Sequence, residues 1–132
     1  MKTSLKTPRL SADELDELHR VAHEAYLQGK YDEAVRYFWF ISLHAPQDVR
    51  YLKGLGAALF MTRDFAKASV VYYHLLGIAT KDPEVNCMLG HTLLMLGDRD
   101  SARKHLDYSL RLPGGDSSMT ARARALLELL RT

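Results

Sequence analysis

The stretch LKGLGAALFMTRDFAKASVVY, residues 52–72, decides how this chain folds. It holds Gly56, Phe65, Ala68 and Tyr72, and each has a counterpart 34 residues away. Gly56 matches Gly90 in one direction and Ala22 in the other; Ala68 matches Ala34 and Ala102. Tyr72 falls between Phe38 and Leu106, Leu55 between Val21 and Leu89, and Arg63 between Gly29 and Gly97. Two sets are imperfect: Tyr31 and Phe65 precede Arg99, and Leu18 and Leu52 precede Asn86. A fixed period of this size is the mark of a stacked-repeat architecture.

The spacing reads physically as helix–turn–helix. Ala22, Gly56 and Gly90 fall midway along a first helix, where a bulky side chain would hold the second helix away. Gly29 and Gly97 fall where that helix must stop, since glycine accepts a left-handed C-terminal conformation. Ala34, Ala68 and Ala102 give the small contact on the second helix. Pro46, Pro83 and Pro113 stand near the unit junctions, where a helix does not readily continue. The expected fold class is all-α: a curved solenoid of three repeats, 15–48, 49–82 and 83–116. Its helices should span about 12–28, 31–44, 48–61, 65–80, 83–96 and 98–111, with Ser11 and Glu14 boxing the first start. After the Pro113-Gly114-Gly115-Asp116 break, a seventh helix over 117–131 should lay Ala123, Leu126, Leu127 and Leu130 on the open end as a cap. Residues 1–10 lack periodicity and read as a flexible basic arm; 11–132 read as one domain.

Composition narrows the function. The chain has 132 residues, 47% hydrophobic and 26% charged, a globular balance. Its formal charge of +2 is too small for a protein living on nucleic-acid phosphates. Cys87 is the single cysteine, so no internal disulfide or all-cysteine zinc site is available. No apolar leader follows the N-terminal basic residues, and the longest apolar stretches, such as 54–61, fall far short of a membrane span. A cytoplasmic protein without direct membrane insertion is the expectation.

Candidate site residues follow from the register. Positions 5, 9, 12 and 13 of each repeat share a first-helix face lining the concave side. They are His19, His23, Tyr26 and Leu27, then Lys53, Ala57, Phe60 and Met61, then Cys87, His91, Leu94 and Met95. Such a groove has aromatic and thioether walls and few charges, suiting an extended peptide with apolar anchors. Tyr26, Phe60 and Met61 are the first candidates for walls, with His23, Ala57 and His91 along the floor. The run Tyr37-Phe38-Trp39-Phe40-Ile41 is too bulky for one helix face. Phe38 and Ile41 are core by register, so Tyr37, Trp39 and Phe40 must reach a neighbouring repeat or a second interface. His19 with His23, and Cys87 with His91, have the four-residue spacing of metal ligands, but two stacking steps separate the pairs. No metal, no other cofactor and no catalytic constellation is expected; Cys87 with His91 lacks a third group.

The pattern of Gly or Ala at position eight, an aromatic at seventeen, Ala at twenty and an aromatic at twenty-four resembles the tetratricopeptide repeat. Segments Gln28-Gly29-Lys30-Tyr31 through Ala34 and Phe38, and Arg50 through Gly54-Leu55-Gly56-Ala57, further resemble type III secretion chaperones of the translocator class (class II). That resemblance implies a small bacterial cytoplasmic protein with no enzymatic activity, holding a hydrophobic translocator before export. It also implies a proline- and leucine-containing client segment and leaves a homodimer open, although family members often carry a longer N-terminal segment for dimerisation. Two alternatives stay beside it: a chaperone of another secretion substrate, such as the needle subunit, or a general protein–protein scaffold. A carboxylate clamp of the co-chaperone kind would need Lys and Asn where His19 and His23 stand.

Overall fold

A computed structural model describes residues 9–131. Seven helices follow in order: α1 Ala12–Leu27, α2 Tyr31–His44, α3 Val49–Met61, α4 Phe65–Ile78, α5 Pro83–Met95, α6 Arg99–Arg111 and α7 Ser117–Leu129. Every described element is helical, as the period requires. The boundaries fall within two residues of those read from the sequence. The expected arm lies almost wholly outside the described residues.

The starts are written in side chains. Ser11 accepts from the Glu14 amide while the Glu14 carboxylate accepts from the Ser11 amide, closing the box ahead of α1. Asp48, Asp64, Asp82, Asp98 and Asp116 then cap α3 to α7, each accepting a backbone N–H of its own first turn. The stops are equally regular. Gly29, Arg63 and Gly97 all take positive φ, at 77°, 67° and 89°. One residue later, the amides of Lys30, Asp64 and Asp98 reach back to the carbonyls of Ala25, Leu59 and Leu93. The same left-handed stop thus closes the first helix of every repeat, although the second repeat has arginine where glycine is the low-cost residue.

Consecutive helices pack as neighbours, and the core follows the register. Ala34, Ala68 and Ala102 are fully buried, as are Phe38, Tyr72 and Leu106 beside them. The small residues permit this. A Cβ at Gly56 would stand 2.7 Å from the Tyr72 ring, one at Gly90 2.7 Å from Leu106, and one at Gly54 2.2 Å from the Phe38 ring of the preceding repeat. Phe38 therefore seals the joint between repeats one and two, its ring lying where only hydrogen is tolerated.

The two imperfect sets have structural partners. Asn86 is buried where Leu18 and Leu52 stand in the other repeats. Its side-chain amide donates to the Thr80 and Asp82 carbonyls, at 3.1 and 3.0 Å, and its carbonyl faces His105 Nδ1 at 3.3 Å. It pins the turn between α4 and α5. Arg99, in the aromatic position, reaches instead to the Leu130 carbonyl at the end of α7, joined there by Arg103 at 2.9 Å. The cap lies on α5 and α6 with Ala123 and Leu130 buried and Leu126 and Leu127 half-buried. No described helix is long and apolar enough to cross a membrane.

Candidate peptide-binding groove

Three recesses run together along the face formed by α1, α3, α5 and α7. The first, about 360 Å³, is lined by His19, His23, Tyr26, Lys53 and Ala57, with Phe38, Arg50, Gly54 and Glu84. It shares Tyr26, Lys53, Ala57 and Glu84 with a second, of about 230 Å³, which adds Tyr72, Val85, Met88 and Arg122. Lys53, Glu84 and Arg122 carry it on into a third, of about 570 Å³, bounded by Asp82 and the Gly114–Met119 segment before and within α7.

His19 lies against Phe38 and Tyr51, ring centroids 5.9 and 5.2 Å away. Burial, aided by the Arg50 charge, holds its pKa below the ordinary 6.5. Tyr26 packs on Tyr31 at 5.3 Å, and burial raises its phenol. Phe60 packs on Phe65 at 5.1 Å and on His91 at 4.6 Å. His91 is kept below its ordinary pKa by burial and then by Arg122, and its Nδ1 is enclosed with no hydrogen-bond partner among the described residues. Lys53 bridges Asp82 at 2.7 Å and Glu84 at 2.8 Å, tying α3 to the start of α5.

The structure therefore brings His19, His23, Tyr26, Lys53 and Ala57 into one recess, while Phe60 and His91 pack on each other, ring planes tilted by 59°, outside the lining of the three recesses. Leu27, Met61 and Met95 sit at the exposed ends of their helices and Leu94 is half-buried; none lines these recesses. Cys87 does line the third recess, but from beneath it. It is fully buried because α7 packs over α5, with Sγ 3.8 Å from the Met119 carbonyl, and burial pushes its thiol up to about 11. A thiol so protonated is no nucleophile at neutral pH. Among the described residues no group of three or more His, Cys, Asp or Glu side chains is placed to hold a metal ion.

Sequence reading missed Asp82, Glu84, Met88, Met119 and Arg122 as groove residues. The acids had a signal: Lys53 is the only lysine or arginine among the twelve expected groove positions, and a half-buried cation needs a partner. On the other side of the molecule, Phe38 and Ile41 are buried as expected, while Trp39 is 56% exposed and Phe40 45%. Trp39 borders an apolar hollow of about 470 Å³ between α2 and α4, with Val35, Leu55, Leu59, Val70 and Val71, rimmed by Arg36 and Lys67.

The tetratricopeptide repeat model matches residues 15–40 and 50–82. The chaperone protein SicA of Salmonella typhimurium is 28% identical over 120 residues, 91% of this chain and 72% of its own length. PcrH of Pseudomonas aeruginosa, in complex with the chaperone binding region of PopD, superposes with a TM-score of 0.86 at 27% identity, covering 95% of this chain and 97% of its own. The chain carries tetratricopeptide repeats and is similar, over nine-tenths of its length, to type III secretion chaperones. The Yersinia enterocolitica chaperone SycD, with a peptide of the translocator YopD, shares the fold at a TM-score of 0.84 and 24% identity, covering 92% of this chain and 95% of its own. The chain thus has three repeats and a C-terminal cap, and the recesses lie along the first helices of those repeats and the cap.

Proposed function

We propose that this protein is a bacterial cytoplasmic chaperone that holds an extended segment of a hydrophobic type III translocator in its α1–α3–α5–α7 groove before export. The observation that carries the reading is the continuity of the three recesses across all three repeats and the cap. It is supported by the likeness to PcrH, which is seen with a chaperone binding region of PopD. An extended segment spans about 3.3 Å per residue, so it passes from one repeat to the next in a few residues. Apolar anchors would seat at Ala57, between Tyr26 and Tyr72, and beside Phe60. The mechanism is mass action: the bound segment is withdrawn from premature association. The protein brings no chemistry of its own. Trp39 and Phe40, on the outer side, are the candidates for a second contact surface.

Co-expression with the translocators of the same secretion system tests the reading. The expected result is a soluble translocator that co-purifies with the chaperone. Ala57→Phe, which fills the shared wall of two recesses, should abolish co-purification while the helical circular dichroism is kept. A translocator that stays insoluble with the wild type, or binds Ala57→Phe equally well, contradicts it.

A further inference from the structure

The groove's cations are not equivalent. Lys53 is spoken for by Asp82 and Glu84, and Arg50 pairs with Asp48 at 3.0 Å. Arg122 also lines two of the three recesses, yet it has no ion pair among the described residues. It stands one residue before Ala123, which is buried on α5 and α6, and so beside the face that α7 presents to the rest of the fold. Its guanidinium points at the Met88 sulfur. A thioether is a weak acceptor, and a guanidinium has five N–H donors to place. The Arg122 charge is nonetheless felt across the groove. It opposes the burial that raises the Tyr26 phenol, and it adds to the burial that lowers His91.

We propose that Arg122 is a specificity-determining residue of the groove, taking an Asp or Glu side chain of the client segment next to its apolar anchors. The inference rests on the client-binding reading above and adds a polar requirement to it. A carboxylate matches the guanidinium fork in two parallel hydrogen bonds, which no group among the described residues provides there. Asp82 and Glu84, at the start of α5 and already paired with Lys53, make that part of the groove unreceptive to a further acid. Lys81, the other cation of the third recess without an ion pair among the described residues, is a point charge next to Asp82 and lacks the guanidinium fork. The preference is therefore strongest on the α7 side and gives the client a direction as well as a charge. Electrostatic matching of this kind selects among apolar segments that the hydrophobic recesses alone would hold alike.

Selection of displayed random dodecapeptides against three proteins tests this: the wild type, Arg122→Gln, and Arg124→Gln, which removes an exposed cation on the same helix away from the groove. Wild type and Arg124→Gln should enrich an acidic residue beside apolar anchors, and Arg122→Gln should enrich the anchors without the acid. A selected acidic peptide, synthesised, should bind Arg122→Gln about tenfold more weakly, and its Glu→Gln or Asp→Asn analogue should bind both proteins alike. Apolar anchors with no acid on the wild type, or acid enrichment that persists in Arg122→Gln, overturn the role of Arg122 alone. Selection of no apolar anchors by any of the three overturns the client-binding reading itself. Thermal melting followed by circular dichroism confirms that the variants compared are folded.

Discussion

Repeats one and two close on aromatic pairs at the same place in the register, Tyr26 with Tyr31 and Phe60 with Phe65. Repeat three has Leu94 and Arg99 there, and Asn86 and Ser109 buried where its predecessors carry Leu52 and Leu75. The first two repeats must present an apolar face to a neighbour like themselves. The third meets α7, a helix whose end needs donors for its free carbonyls, and Arg99 and Arg103 supply them. A solenoid end thus keeps the period but exchanges apolar contacts for polar ones aimed at particular backbone groups. The groove changes character along the same axis, from a cation already paired at Lys53 to one without an acidic partner among the described residues at Arg122.

The largest break in this comparison is at the joint between repeats one and two. Gly54→Leu must displace the Phe38 ring, and we expect a loss of about 3 kcal/mol in urea unfolding, with the two repeats losing cooperativity. An unfolding midpoint unchanged by this substitution would show that the joint is not sealed by Phe38. In repeat three, Asn86→Leu restores the residue type of the other repeats. It should nevertheless destabilise by about 1–2 kcal/mol, because the Thr80 carbonyl loses its donor and the α4–α5 turn its staple. Stabilisation instead would mean that the repeat pattern outweighs the buried hydrogen bonds.

Acid should weaken the fold in a defined window. His19, His91 and His105 are all held below the ordinary 6.5 mainly by burial, so the folded state resists their protonation. Stability is complete above about pH 6.5 and falls as pH drops below it. Asp48 and Glu17, held below 3.8 and 4.5, add their loss only at lower pH, which leaves the interval between 6.5 and 5 to the histidines. His91→Gln should flatten the decline of melting temperature there; an unaltered slope would assign it to other groups. The smallest effect belongs to the stop that repeat two makes with arginine. Arg63→Gly should raise stability by about 0.5 kcal/mol, relief of the left-handed backbone exceeding the lost contact of its guanidinium with Phe65 at 5.3 Å.

Helix positions were legible because their determinants are local: the Ser11–Glu14 box at the first start, glycines at two first-helix stops, prolines near the junctions, small residues at positions eight and twenty. The groove was only partly legible. His19, His23, Tyr26, Lys53 and Ala57 come together because they share one face of α1 and α3, a relation the register contains. Arg122 and Met119 come from a helix outside the repeats, and Cys87 is covered by that same helix. Lys53 finds its acids 29 and 31 residues on, across a turn whose geometry Asn86 sets. No periodicity encodes such pairings, which depend on where the cap settles.

The most direct test of the account is side-chain footprinting of the chaperone with and without its co-purified translocator. The account predicts that Tyr26, Phe60, Met88 and Met119 lose reactivity in the complex while Trp39 and Val70 keep theirs. Protection at Trp39 and Val70 with the first four unchanged would place the client on the outer hollow and contradict it.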